Sequence, residues 1–172
     1  MRRLVPSLLI LAAMGSAGAA LAPPAVDGSR SAPSIQECLA IVVHKSNPIT
    51  ALSSADLRRI FMGEQTRWPG GHGITLVMRE EGQPERAAVL RQIYKMNEAD
   101  LSRYLLHASF TGDLRFEPKV LNSAAGARRF VFNVPSAIGY LRGDETDQTI
   151  KILRIDGRLP GEDGYRLLVS RR

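Results

Sequence analysis

Apolar residues alternate along the chain between short continuous runs and helical stripes. Residues 39–43 (LAIVV) and 74–78 (ITLVM) read as strands covered on both faces. Residues 119–121, 138–141, 150–155 and 165–169 read as further strands, with Gly139 marking a close backbone approach or a bulge. Between them lie four helical patterns. The first, 54–62, follows Ser53 as N-cap with Asp56 three residues on. Leu57, Ile60 and Phe61 form its inner face, Leu52 and Leu57 its hydrophobic staple, and Gly63 its stop. The second, 84–94, opens on Pro84, where a missing N–H costs little, and buries Val89, Leu90, Ile93 and Tyr94. The third starts at Asn97, with Asp100 at N3 and a Met96–Leu101 staple. It carries Leu101, Tyr104, Leu105 and Ala108 at helical spacing and breaks at Phe110-Thr111-Gly112. The fourth runs from a Ser123 cap to about Asn133, with Ala127, Phe130 and Val131 inward, and Pro135 beyond its end. Strands alternating with helices predict a three-layer α/β domain with a mostly parallel sheet. Ligands of such sheets sit at the carboxyl ends of strands, which points to the loop after residues 74–78.

The first 22 residues stand apart. Arg2 and Arg3 precede a short apolar run, 4–14, and then small residues, the pattern of a signal peptide cleaved after Ala19 or Ala20. Residues 23–35, rich in Pro, Ala and Ser, read as a flexible mature N-terminus, and 36–172 as the folded domain. The expected location is periplasmic or secreted, with no membrane span after cleavage. At 172 residues one core is enough.

The formal charge of +6 falls by two without Arg2 and Arg3, and acids are interleaved with the remaining bases. No basic run with interleaved aromatics marks a nucleic-acid binder. Cys38 is alone beside an apolar run, so it reads as a small buried hydrophobe. His44, His72 and His107 are far apart, without metal-ligand spacing, so neither metal nor cofactor is expected. Nucleophile-elbow, H-E-x-x-H and P-loop motifs are missing, and the adjacent Glu80 and Glu81 point to opposite sides of a strand end. The expectation is a non-enzyme.

Four pieces then carry a resemblance. They are Ile60-Phe61-Met62-Gly63 with Thr66-Arg67-Trp68; Arg79-Glu80-Glu81-Gly82 after the second strand; Phe110-Thr111-Gly112 after a helix bearing Tyr104; and Val134-Pro135-Ser136-Ala137-Ile138-Gly139-Tyr140. In this order they resemble the periplasmic phosphate-binding proteins, the substrate-binding subunits of phosphate ABC transporters. The resemblance covers roughly residues 41–140. It implies a periplasmic-binding-protein type II-like lobe, a single one rather than a two-lobed clamshell. It also implies a solute-binding-like protein whose partners are phosphate or another small oxyanion and an ABC transporter or other envelope protein.

By the same resemblance the ligand-binding residues are Arg79, Glu81, Gly82 and Gln83, with Arg79 matching the arginine that contacts phosphate. Glu81 stands where the family has an Asp that holds that arginine. The chain departs from the family at Gln83, Pro84 and Glu85, where a Ser, a Gly and a Thr supply donors. Gln83 still donates, Pro84 has no N–H, and Glu85 adds negative charge. Two readings of Arg79 stand: a residual weak oxyanion site, or a loop tie to Glu81 or Glu85. Two also stand for Ser53-Ser54 and Asn122-Ser123, as anion donors or as helix caps. Trp68 either stacks on a ligand or plugs the core edge. A ligand-free envelope interaction module is the alternative function.

Overall fold

In the computed structural model, residues 34–111 and 117–170 are described. The expected signal peptide, most of the expected N-terminal segment and Gly112 lie outside them. The strands are β1 (Leu39–His44), β2 (Ala51–Leu52), β3 (Thr75–Arg79), β4 (Lys119–Leu121), β5 (Ala137–Arg142), β6 (Ile150–Ile152) and β7 (Arg154–Ile155). The helices are α1 (Ser54–Phe61), α2 (Pro84–Val89), α3 (Glu98–Thr111) and α4 (Ala124–Asn133). Five strands form one sheet in the order β4-β3-β5-β1-β6, and β2 pairs with β7.

The sheet is mixed and mostly parallel, flanked by helices. Three strand pairings are parallel, β3 with β4, β3 with β5, and β2 with β7. β1 runs antiparallel to both β5 and β6. Its buried apolar run was legible in the sequence, but its direction was not.

Strand alternation divides the core into two layers. Leu39, Ile41, Val43, Leu76, Met78, Ile138 and Tyr140 face one way, onto Leu57, Ile60 and Phe61 of α1 and Leu101 of α3. Ala40, Val42, Val77 and Leu141 face the other, onto Ala127 and Val131 of α4. Each large apolar side chain buried here contributes about 1.5–3 kcal/mol. Gly139 is the close approach the sequence implies. A Cβ there would lie 3.2 Å from Val77 Cβ and 3.5 Å from Val131 Cγ2.

The helix caps follow their residues. Ser53 Oγ accepts from Asp56 N–H, and Ser123 Oγ from Gly126 N–H, both at 3.0 Å. Gly63 has φ 76°, the left-handed stop of α1. Pro84 opens α2 at its first position. The second helix does not continue as α to its end. It passes into a π turn, Leu90–Tyr94, closed by Lys95 at φ 59°. Arg58 on α1 satisfies that end, donating from Nη1 to the Ile93 carbonyl at 2.6 Å and to the Tyr94 carbonyl. Tyr94 Oη in turn donates to the Phe61 carbonyl at 2.9 Å.

Two strand expectations are corrected. Residues 150–155 are split at Leu153, whose N–H donates to the Ile41 carbonyl at 2.9 Å. Residues 165–169 form no ladder, only a bridge between Cys38 and Leu168. Their apolar alternation is real, with Tyr165, Leu167 and Val169 buried. The main chain bonds Leu39 and Glu37 on one side, and the Gln92 side-chain amide takes both groups of Leu168 on the other. A side chain stands where a ladder partner would be.

Candidate functional site

Arg79 ends β3 and is 5% exposed. Its backbone N–H donates to Tyr140 Oη at 2.8 Å, and its Nη2 to the Asn122 carbonyl at 3.2 Å, just ahead of α4. Nε and Nη1 are closed to solvent and have no hydrogen-bond partner among the described residues. Among the described residues no carboxylate comes within 4.0 Å of this guanidinium, so the tie to Glu81 or Glu85 does not form. A buried, unpaired cation is costly and sits in the strand-end position the sequence singled out.

The loop that follows is arranged differently from the expectation. Glu81, Gly82 and Gln83 line an open groove of about 870 Å³ with Leu90, Arg91 and Lys95. Arg79 is not in that lining. The four residues expected to act together are therefore divided: three line the groove, and Arg79 lies outside its lining. Gly82 has φ 82°, which a side chain would resist. The Gln83 N–H donates back to the Glu80 carbonyl at 3.4 Å. Glu85 is 4% exposed. The only two deeply buried charged side chains among the described residues flank one loop, opposite in sign and unpaired with each other.

Sequence reading missed the group that fixes this loop. Arg86 donates from Nη1 to the Arg79 carbonyl at 2.9 Å. Its Nε and Nη2 hold both Glu98 oxygens at 2.7 and 2.8 Å. Glu98 raises the Arg86 pKa chiefly through that side-chain hydrogen bond. Nothing local marks Arg86, because its carboxylate comes from α3. Tyr140 is also structural here, its phenol pushed up by burial. Tyr140→Phe leaves the buried Arg79 N–H without an acceptor and is expected to cost about 1–3 kcal/mol in urea unfolding.

The other helix starts are capped. At α1, Ser54 N–H donates to Asp156 Oδ1 at 2.9 Å, and Ser54 Oγ bonds Asp156 Oδ2. A carboxylate of this same chain thus fills the place an anion would take. Those Ser54 bonds hold the Asp156 carboxyl below its ordinary value. Its contribution is complete above the unfolded value and fades as pH falls from about 4 through the depressed native value. Asp156→Asn is therefore expected to lower the urea midpoint at pH 6, and the gap to wild type is expected to narrow below about pH 4.

Trp68 is 5% exposed, and its Nε1 donates to the Ser136 carbonyl at 3.1 Å. It plugs the core where β3 and β5 begin, and β3, which ends at Arg79, spans roughly 13 Å from there. Cys38 is buried, and burial pushes its thiol up. Among the described residues no His, Cys, Asp or Glu cluster could hold a metal, and no helix is long and apolar enough to cross a membrane.

No protein-family model and no curated protein matches the chain. Solved structures do. An ABC-type phosphate transport receptor from Vibrio cholerae aligns with TM-score 0.56 and 21% identity, over 72% of this chain and 48% of that one. A protein described as a phosphate ABC transporter substrate-binding protein, from Clostridium perfringens and with bound phosphate, gives TM-score 0.59 and 21% identity, over 72% and 47%. PstS from Borrelia burgdorferi gives 0.60 and 15%, over 78% and 55%. The chain spans about half the length of these proteins. The resemblance read from the four sequence pieces holds at the level of architecture, and the chain has the α/β fold of phosphate ABC transporter substrate-binding proteins.

Proposed function

We propose that the chain is an exported binding protein for a small oxyanion, with phosphate the first choice, and that Arg79 supplies the cation. The observation that carries this reading is the orphaned guanidinium: buried, charged, and without partners at Nε and Nη1. An oxyanion offers acceptors to both nitrogens and neutralises the charge. The likeness to proteins that carry phosphate in their names supports the choice of ion. The mechanism is hydrogen bonding without covalent chemistry, and the chain acts as a carrier, not an enzyme. Gly82 and Gln83 supply the adjoining loop; Glu81 lies on its exposed rim.

Binding is weak in this account. Both orphaned nitrogens are closed to solvent, so an ion enters only after local opening. Pro84 donates no N–H, and Glu85, in the first turn of α2, places negative charge beside the loop. An ABC transporter or another envelope protein is the expected partner. Calorimetric titration with phosphate tests the reading, because Trp68 is too far from Arg79 to report on it. Saturable heat at millimolar phosphate is expected. No heat at that concentration overturns it.

The buried Glu85 favours a second reading, a ligand-free envelope module. That reading predicts reproducible capture of one envelope protein together with no phosphate heat. Phosphate heat without any capture excludes it.

A further inference from the structure

A second cavity lies at the other end of the sheet, where β1 finishes and β3 and β5 begin. It holds about 550 Å³, and its lining includes Asn47, Pro48, Trp68, His72, Pro135 and Ser136. Its walls include the flat indole of Trp68 and the apolar pyrrolidines of Pro48 and Pro135. They are also fixed. The indole N–H is tied to the Ser136 carbonyl, and Ser136 Oγ bonds Thr75 Oγ1 at 3.0 Å. A preformed, mostly apolar cavity with one flat aromatic wall suits a planar ligand.

One polar group in this cavity is unspent. Asn47 is 4% exposed. Its Oδ1 accepts from Ile49 N–H at 3.0 Å, which fixes the amide orientation and turns Nδ2 the other way. Among the described residues Nδ2 has no hydrogen-bond partner, and Asn47 lines the cavity. An amide donor that opens onto a cavity without an acceptor is the kind of group a ligand completes. The local charge selects the ligand further. No acidic residue lines the cavity, the imidazole of His72 is at its mouth, and Lys151 Nζ donates to the Asn47 carbonyl.

We propose that this cavity binds a small aromatic carboxylate. The ring lies against Trp68, Pro48 and Pro135, and a carboxylate oxygen accepts from Asn47 Nδ2. The site is separate from Arg79 and does not depend on oxyanion binding there.

Benzoate is the probe, and the emission of Trp68, the chain's only tryptophan, is the readout. Wild-type protein is expected to give a saturable change at millimolar benzoate. Asn47→Asp keeps the acceptor for Ile49 N–H but puts a negative charge in place of the donor, and is expected to weaken binding at least about tenfold. A shift of the His72 ring resonances on benzoate addition to wild type is expected independently of any variant. Overturning results are no saturable emission change together with unmoved His72 resonances, or equal benzoate affinity in wild type and a folded Asn47→Asp variant.

Discussion

Arg79→Met is expected to raise the stability of the ligand-free protein by about 1–3 kcal/mol, although it removes a buried residue of the candidate site. Two of the three guanidinium nitrogens have no partner, and each such group costs about 1–3 kcal/mol in a folded protein. The one retained side-chain bond, to the Asn122 carbonyl at 3.2 Å, returns about 1 kcal/mol. Asn122 is exposed, so its carbonyl passes to water when the guanidinium goes. Methionine follows the alkyl path of arginine without a charge to desolvate. The backbone bond from Arg79 N–H to Tyr140 is untouched. A higher urea midpoint at unchanged slope is the expected reading. A loss of similar size would mean that the guanidinium holds the structure together and is not kept for a ligand.

Arg86→Met is expected to act in the opposite direction, costing about 3–5 kcal/mol. Arg86 and Glu98 are 12% and 30% exposed in their side chains and bond at two points. Removing one partner strands a partly buried carboxylate, and it also frees the Arg79 carbonyl that Arg86 caps. The pair ties β3, α2 and α3 together, so its loss loosens the loop that carries Gly82 and Gln83. The matched change Arg86→Met with Glu98→Leu removes both charges and is expected to recover most of the loss. Equilibrium unfolding of the two singles and the double gives the coupling. Additive losses would show that the pair contributes no interaction of its own.

Local signals were legible in the sequence because their physics is local. Ser53 and Ser123 cap, Pro84 opens a helix and Gly63 ends one through interactions within four residues. The edge strand Lys119–Leu121 also matches its expected bounds. What was missed depends on distant partners. The end of the π turn is satisfied by Arg58, which lies 35 residues before Ile93. Asp156 reaches the start of α1 across 102 residues. The strand pattern at residues 165–169 is correct in its alternation, yet Gln92 takes the place of a ladder partner. The candidate site shows the same split. Arg79 stands at the end of the strand that the sequence points to, but its freedom from Glu81 and Glu85 is a matter of packing, which neighbouring letters do not encode.

The central claim is that the buried Arg79 charge awaits an anion, and linked unfolding measures it directly. Wild type and Arg79→Met are unfolded in urea with and without phosphate at constant ionic strength. Wild type is expected to gain about 1.4 kcal/mol when phosphate is at about ten times its Kd, while Arg79→Met gains nothing. Equal phosphate stabilisation of both proteins, or none of either, would contradict the account.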